Sequence, residues 1–476
     1  MFLLTLILVP LVAGVLLSLL GNDKLPSQRI ALIVSIAVFI ASLGLLGNFG
    51  LDQSTTLNWI PALNIHFSLA ADGLSKLMIV LTTLLVPFII ATGNSQNKNN
   101  HVLYGLILMM QTGLLGVFTA SDGFLFYVFW ELALIPIYFI AAFWSKDQNR
   151  INITLKFFIY TIFGSLFMLV AIIYLGLKGD SFSIEAIYAT GKALPAATQS
   201  WVFWCLFIAF AIKMPIFPFH TWQPNTYVAS STQGTMLLSG IMLKMGIYGC
   251  MRWLLPVVPL GVKEWQTLVI VLCVIGIVYT SLIAMVQTDI KRMTAYSSIA
   301  HVGLIAAGIF AQTPEGMMGA SLQMLAHGIN VVALFYIVAL IARRTGTRTM
   351  ADLGGIAQQA PKFATLFMVV MLGTIALPLT NGFVGEFLLL SAVFSFSGVA
   401  MAFAGLTIIF GAIYMINAYR AVMYGELNPI SSKFTDLTTA ELMVLAPLAT
   451  LVIVLGVYPS PVIHLVEPAL KGLLGV

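Results

Sequence analysis

Fourteen long apolar runs constrain this chain more than any other feature of its sequence. A helix needs about 20 mostly apolar residues to cross the hydrocarbon core of a bilayer. The predicted spans are 2–20, 30–49, 73–92, 102–120, 123–144, 155–177, 200–222, 231–254, 265–287, 292–311, 316–342, 362–397 (interrupted), 402–424 and 439–458. Because lipid cannot satisfy backbone polar groups, such runs fold as α-helices. The sequence therefore predicts an all-α polytopic membrane protein with about 14 transmembrane helices.

The composition excludes a soluble fold. Of the 476 residues, 60% are hydrophobic and only 8% are charged, whereas about 25% of the residues of a soluble domain are charged. The net charge of +5 comes from Lys and Arg that stand singly or in twos, so no nucleic-acid partner is expected. The first run has no basic residue before it and is too long for the core of a signal peptide, so we predict that it is a retained span.

Neither cysteines nor glycine motifs indicate a cofactor. Cys205, Cys250 and Cys273 lie in or at the ends of apolar runs and form no CxxC motif, which is typical of small buried hydrophobic residues. The glycine patterns that bind nucleotides between a strand and a helix do not occur. We expect no redox cofactor, nucleotide or metal ion in this chain.

The distribution of basic residues predicts the topology. With the N-terminus outside, 14 of the 22 Lys and Arg fall on the inner side. They are Lys24, Arg29, Lys98, Lys146, Arg150, Lys156, Lys291, Arg292, Arg343, Arg344, Arg348, Lys362, Arg420 and Lys433. Six fall outside: Lys76, Lys178, Lys192, Arg252, Lys263 and Lys471. The remaining two, Lys213 and Lys244, are in the middle of spans.

Two spans are interrupted. Pro215 and Pro218 lie inside the seventh, and Pro378, Asn381 and Gly382 inside the twelfth. Proline removes a backbone donor and clashes with the preceding helical turn. Broken backbone at membrane depth persists only where protein or a water-filled cavity satisfies it.

The breaks are five spans apart, and five is odd, so the broken spans run in opposite directions. This pattern is typical of inverted repeats with ion sites at broken helices. We predict repeats formed by spans 4–8 and 9–13. The predicted regions are an N-terminal three-span region (1–101), a first repeat (102–260), a second repeat (261–425) and a C-terminal span (426–476).

Six ionisable residues lie near the middle of their spans. They are Glu131, Lys213, Lys244, His301, His327 and Glu386. A charge at the bilayer centre costs about 2.5–3.5 kcal/mol on insertion scales, so stability alone does not explain them. Their similar depth, taken in the order of their spans, predicts a row in the membrane plane. Groups of this kind can pass a proton because each exists in two protonation states whose balance depends on its neighbours.

Structural explanations compete with this one. Glu131 and Lys213 could form a buried ion pair, although such a pair leaves Lys244 unexplained. A single histidine on an apolar helix is often a hydrogen-bonded core residue, and for His327 this explanation is as good as a relay. His301 follows Ser297 and Ser298 by one turn, which favours a relay. Asp72, before the third span, is typical of a helix N-cap.

Seven stretches contain most of these ionisable residues, the first break and their surroundings. In order, they are ADGLSKLMIVLTTLL, FYVFWELALIPIYFI, KFFIYTIFGSLFML, FAIKMPIFPFHTWQP, QGTMLLSGIMLKMGIYG, DIKRMTAYSSIAHVGLI and GFVGEFLLL. They resemble the antiporter-like membrane subunits of respiratory complex I, the proton-pumping NADH–quinone oxidoreductase. The resemblance covers essentially the whole chain. It implies that Glu131 and Lys213 pair, that Lys244 is the central lysine, and that His301 and His327 relay protons. Glu386 matches the terminal site of the twelfth span, where the sister subunits resemble one another in having lysine.

The resemblance also implies partners and location. It implies neighbouring L- and N-type antiporter-like subunits, a surrounding lipid bilayer and the inner (plasma) membrane. NADH, FMN, iron–sulfur clusters and quinone are expected in partner subunits. One departure is the loop after the seventh span, where the family reads close to LPDAHVEAPT and this chain reads QPNTYVASST from Gln223 to Thr232, which weakens a proton-entry role there.

Three other functions remain open at the sequence level. An Mrp-type Na⁺/H⁺ antiporter subunit predicts Na⁺-dependent exchange. A membrane subunit of a hydrogenase complex predicts hydrogen uptake and nickel. A purely structural subunit predicts that replacing Lys213 leaves pumping unchanged.

Overall fold

The computed structural model describes residues 1–22, 25–47, 53–93, 100–145 and 147–475. Lys24, Lys98 and Lys146, which contribute to the predicted topology, lie outside the described residues. Within them, 13 helices are long and apolar enough to cross a membrane. The interrupted twelfth span adds two shorter apolar helices, Pro361–Thr374 and Asn381–Phe396. The prediction of about 14 spans in an all-α membrane protein is therefore confirmed.

The structure contains 21 α-helices within the described residues. They are α1 (Phe2–Leu20), α2 (Ser27–Leu43), α3 (Gly73–Ala91), α4 (Asn100–Thr119), α5 (Gly123–Phe143), α6 (Arg150–Lys178), α7 (Ile184–Ala193), α8 (Ala196–Lys213), α9 (Gln223–Ala229), α10 (Thr232–Leu237), α11 (Leu243–Gly249), α12 (Pro259–Met285), α13 (Ile290–Phe310), α14 (Pro314–Thr345), α15 (Ile356–Gln359), α16 (Pro361–Thr374), α17 (Asn381–Phe396), α18 (Gly398–Ala404), α19 (Leu406–Met423), α20 (Thr439–Val457) and α21 (Ser460–Leu474). Segments Leu238–Met242 and Cys250–Leu254 are π-helical.

Three elements, an antiparallel hairpin and two helices, lie outside the predicted spans. An antiparallel hairpin, β1 (Ser54–Ile60) and β2 (Ile65–Ala70), precedes α3. Its Thr, Trp, Ile and Phe residues favour strands. Helix α7 begins at the N-cap Ser183, whose hydroxyl accepts from the Ala186 N–H. Helix α21 was missed because its apolar residues form a stripe rather than a continuous run.

The chain divides into two compact units. The first comprises residues 1–214, 229–268 and 464–476, and the second comprises residues 215–228 and 269–463. In the first unit, α4 packs against α1 and α5, and α6 packs against α8. In the second unit, α14 packs against α13, α16, α17 and α20.

Both predicted breaks are present. Helix α8 ends at Lys213, and helix does not resume until Gln223; the Phe217–Pro218 peptide bond between them is cis. Residues 375–380 separate α16 from α17. Ala376 and Leu379 there have φ of 56° and 72°, a left-handed conformation that costs energy for residues other than glycine.

Candidate functional site

In the first unit, Glu131 and Lys213 are neighbours without forming a salt bridge. Glu131 on α5 has Ser165 of α6 and Lys213 of α8 as polar neighbours. The Lys213 side chain is 1% exposed, and its Nζ lies 5.2 Å from the ring centroid of Trp130. Within the described chain, neither Lys213 Nζ nor Glu131 Oε1 has a hydrogen-bond partner. The charged atoms of Glu131 and Lys213 are more than 4.0 Å apart, so the two residues interact electrostatically without forming a salt bridge.

The break in the seventh span places Lys213 at a helix end. It is the last residue of α8, where unpaired carbonyls give the helix a partial negative charge that favours a cation. Trp130, one residue before Glu131, is also buried and brings its ring beneath the ammonium, where the ring face attracts positive charge. The helix end and the ring thus stabilise Lys213 without fixing it in a salt bridge.

Lys244, also in the first unit, lies between two π-helical segments. Its side chain is fully buried, and its Nζ donates to the Ser239 carbonyl at 2.6 Å. Ser239 belongs to the π-helical segment Leu238–Met242, which immediately precedes α11. Single π-helical turns are often found at functional sites. Here the wide turn supplies a carbonyl acceptor five residues before the lysine.

In the second unit, His301 and Glu386 make direct contact. His301 Nδ1 of α13 lies 2.6 Å from Glu386 Oε1 of α17. Gln323 of α14 donates from Nε2 to the same oxygen at 3.0 Å. Glu386 is 1% exposed and His301 3% exposed. Three helices thus supply one buried acid–base cluster, and the Gln323 amide is a member that the sequence analysis missed.

A second histidine lies beside this cluster. The ring centroids of His301 and His327 are 6.4 Å apart. Ser298 Oγ lies 3.0 Å from His327 Nε2, while the Tyr414 hydroxyl donates to Ser297 Oγ at 2.9 Å. Of the two serines that precede His301 in sequence, Ser298 therefore contacts His327 and Ser297 accepts from Tyr414.

A polar cavity adjoins the cluster. It is lined by Thr294, Ser297, Ser298, His301, Gln323, His327, Asn330, Val331, Leu334 and Thr374. Water needs at least two polar partners to occupy a buried space, and this lining supplies more than two. Gln323, His327 and Asn330 form a polar stripe at helical spacing along α14, and this spacing is the sequence signal that could have revealed both amides.

The six predicted residues form two groups. Glu131, Lys213 and Lys244 lie in the first unit, and His301, His327 and Glu386 lie in the second. Within each group the residues are buried or half-buried on neighbouring helices. Within the described residues, no group of three or more His, Cys, Asp or Glu side chains is arranged to hold a metal ion.

Asp72 has two roles outside these groups. Its Oδ1 accepts from the Ser75 N–H at 3.0 Å, which confirms the predicted N-cap of α3. Its Oδ2 forms a salt bridge with Arg252. The Tyr188 hydroxyl donates to the Arg252 carbonyl at 2.6 Å. Burial raises the pKa of Tyr188 above its usual value, so this hydroxyl stays protonated and able to donate.

The divergent loop after the seventh span forms α9. Gln223, its first residue, is fully buried, and neither polar atom of its side-chain amide has a hydrogen-bond partner within the described part of the chain. Tyr227 is also buried, with its ring 5.8 Å from that of Phe335. A neutral amide and a tyrosine are thus buried directly after the break in the seventh span.

Comparison with known proteins identifies the family. The family model described as "NADH:quinone oxidoreductase/Mrp antiporter, TM" matches residues 120–411. NADH-quinone oxidoreductase subunit M of Rickettsia typhi is 38% identical over 98% of this chain and 97% of the relative. The protein of the same name from Rickettsia prowazekii is 40% identical over 98% and 97%.

A solved structure agrees with these relatives. A chain of respiratory complex I from Thermus thermophilus with bound NADH superposes with a TM-score of 0.92 at 30% identity, covering 100% of this chain and 99% of that chain. The match extends over every helix described above. The chain belongs to the family of subunit M of NADH-quinone oxidoreductase.

Proposed function

We propose that this chain moves H⁺ through the membrane arm of a proton-translocating NADH–quinone oxidoreductase along its buried ionisable residues. In order, they are Glu131, Lys213, Lys244, His301, His327 and Glu386. The observation that carries the proposal is the environment of Lys213. Its ammonium is buried beside Glu131 at the end of a broken helix, with neither a salt bridge nor a hydrogen bond from the described residues.

Glu131 controls the charge of Lys213 in this proposal. Burial disfavours the charged form of an amine, and a nearby carboxylate favours it. When Glu131 is ionised and close, Lys213 holds its proton; when Glu131 is neutral or withdrawn, Lys213 releases it. The absence of a tight salt bridge supports this role, because breaking a tight buried pair costs about 3–5 kcal/mol.

Lys244 receives the proton next, and the histidine cluster carries it onward. The bond from Lys244 Nζ to the Ser239 carbonyl holds the protonated amine. His301 and Glu386, joined at 2.6 Å, form the terminal site. The polar cavity beside them supports transfer through water.

The proposal includes a setting for the chain. The N-terminus faces outward, spans 4–8 and 9–13 act as inverted repeats, and L- and N-type antiporter-like subunits are its neighbours in the plasma membrane. NADH, FMN, iron–sulfur clusters and quinone bind partner subunits, so energy reaches this chain as a change in charge or hydration near Glu131.

The test replaces Lys213 with an apolar side chain of similar length. Lys213→Met, in the assembled complex in vesicles, should largely abolish formation of a pH gradient on addition of NADH, since no amine remains to take the proton. Lys192→Met, at an exposed lysine of α7, is the matched control and should pump normally. A normal pH gradient with Lys213→Met would refute the relay.

A further inference from the structure

Two asparagines in the second unit bond to each other, one from the middle of α14 and one from the start of α17. Asn330 Nδ2 of α14 donates to Asn381 Oδ1 at 3.0 Å, and Asn381 Nδ2 donates to Asn330 Oδ1 at 3.0 Å. Both side chains are 4% exposed. Asn381 is the first residue of α17, directly after the break in the twelfth span.

Each asparagine lines a different cavity. Asn330 lines the polar cavity that also contains His301, Gln323 and His327. Asn381 lines a second, largely apolar cavity, together with Leu322, Leu325, Ala326, Val384, Leu455, Pro459 and Val462. The amide pair therefore lies between the two cavities.

The two cavities extend toward opposite faces of the membrane. The polar cavity reaches Thr294 and Leu334, toward the face where α13 begins and α14 ends. The second cavity reaches Leu455 and Pro459, toward the face where α20 ends. Since α14 is the eleventh span and α20 the fourteenth, they cross in opposite directions, and the end of α20 shares its face with the beginning of α14.

The chemistry of the two carboxamides makes the pair a barrier to protons. A carboxamide neither gains nor loses a proton near neutral pH, so the closed pair cannot pass a proton between the cavities. Gly373 at the end of α16 allows this arrangement, because a Cβ there would lie 3.2 Å from Asn381 Oδ1 and 3.3 Å from Asn330 Nδ2. Opening requires the two amides to replace their mutual hydrogen bonds with hydrogen bonds to water. Such bonds are nearly as favourable as direct ones once water reaches the amides.

Both side chains that contact Glu386 Oε1 line the polar cavity. His301 and Gln323, which contact Glu386 Oε1, are on the polar side of the pair. We propose that the Asn330–Asn381 amide pair is the gate that separates the terminal proton site from the opposite face of the membrane, and that it opens to let the proton leave. This inference rests on the proposed function, since it takes Glu386 as the end of the relay.

The experiment measures passive proton entry into proteoliposomes that contain the whole complex, without NADH and with an imposed pH gradient. Asn330→Ala and Asn381→Ala should each raise proton influx by about tenfold, the factor given by ~1.4 kcal/mol removed from a barrier. NADH oxidation should continue with a smaller pH gradient. Asn330→Asp, which keeps the side-chain volume, should also leak because it places a titratable group in the gate.

Ser321→Ala is the matched control, because Ser321 is fully buried on the same helix and lines neither cavity. It should leave the vesicles tight. If all three asparagine variants are as tight as this control and remain coupled, the pair is a packing contact and the gate is refuted.

A double variant separates the gate from the relay. Adding Glu386→Gln to Asn330→Ala should return the influx toward the control value, since protons crossing the open gate meet no acceptor. A leak that persists in the double variant supports the gate and contradicts Glu386 as the terminal site. Tight asparagine variants combined with loss of pumping in Lys213→Met contradict the gate and support the relay.

Discussion

His301 Nδ1 lies 2.6 Å from Glu386 Oε1, joining α13 to the helix that follows the break in the twelfth span. The second polar atom of each side chain, Nε2 of His301 and Oε2 of Glu386, is buried and lacks a hydrogen-bond partner in the described part of the chain. Each residue therefore keeps one polar atom unbonded within the described part of the chain, and His301 also lines the polar cavity. This arrangement suits a site that must accept and release a proton.

Glu386→Gln should lower NADH-driven proton pumping by about tenfold, a loss of ~1.4 kcal/mol of barrier stabilisation. Glutamine keeps the shape and hydrogen-bonding capacity of the side chain but cannot ionise. The pH gradient in vesicles measures the effect. Glu426→Gln, at an exposed carboxylate, should pump normally, and equal pumping by both variants would exclude Glu386 from the relay.

Gly385→Ala should separate α14 from α17 at the site. A Cβ at Gly385 would lie 2.6 Å from Gln323 Oε1 and 3.0 Å from the Gln323 backbone N, so the helices must shift. Overpacking of this kind costs about 1–3 kcal/mol, which should lower the temperature at which the subunit leaves the complex and reduce pumping. Gly398→Ala is the control, since its nearest neighbour would be 3.7 Å away. Identical behaviour of both variants would contradict the tight packing.

Ser298→Ala should reduce pumping several-fold by removing the hydroxyl 3.0 Å from His327 Nε2. A buried hydrogen bond contributes about 1 kcal/mol, and its loss changes the orientation of the ring. Initial rates of pH-gradient formation measure the effect. Ser395→Ala, where an exposed hydroxyl bonds its own helix, should pump as the unmodified complex does. An unchanged rate in Ser298→Ala would support the purely structural interpretation of His327.

Asp72→Asn and Asp72→Ala should differ in their effect on stability. Asparagine still caps α3 but loses the salt bridge with Arg252, whereas alanine loses both. The cap contributes about 1 kcal/mol, so the subunit with alanine should dissociate at the lower temperature. Pumping should be unaffected in both. Equal dissociation temperatures would show that the cap contributes nothing.

Thiol labelling tests the proposed orientation. In a chain with Cys205→Ala, Asn58→Cys in β1 should react with a membrane-impermeant maleimide added outside cells, because β1 lies between the second and third spans. Ser432→Cys, between the thirteenth and fourteenth spans, should react only after permeabilisation. Both positions are exposed. The reverse pattern would place the N-terminus inside.

The spans and their breaks could be predicted because a bilayer imposes a constraint along one dimension. About 20 apolar residues are needed to cross it. The prolines at 215, 218 and 378 interrupt the helical backbone regardless of how the helices pack. Depth follows from position within a span, so the burial of Lys213, Lys244 and Glu386 could be inferred as well.

Side-chain partners could not be predicted, because they depend on how each helix is rotated and packed against its neighbours. Ser298 lies one turn before His301 in sequence but contacts His327 on α14. Gln323 reaches Glu386 only because glycine at position 385 lets α14 approach α17. The hairpin and α21 were missed for a different reason, since neither forms a long apolar run.

The sequence by itself determined that this chain has about 14 membrane-spanning segments, and it predicted that Glu131, Lys213, Lys244, His301, His327 and Glu386 lie inside them, where charge is costly. Only the tertiary structure decided which of them touch. It joins His301 to Glu386, leaves Glu131 and Lys213 without a salt bridge, and pairs Asn330 with Asn381. The physical reason is that hydropathy fixes the depth of a residue, whereas contacts across helices depend on rotation and close packing.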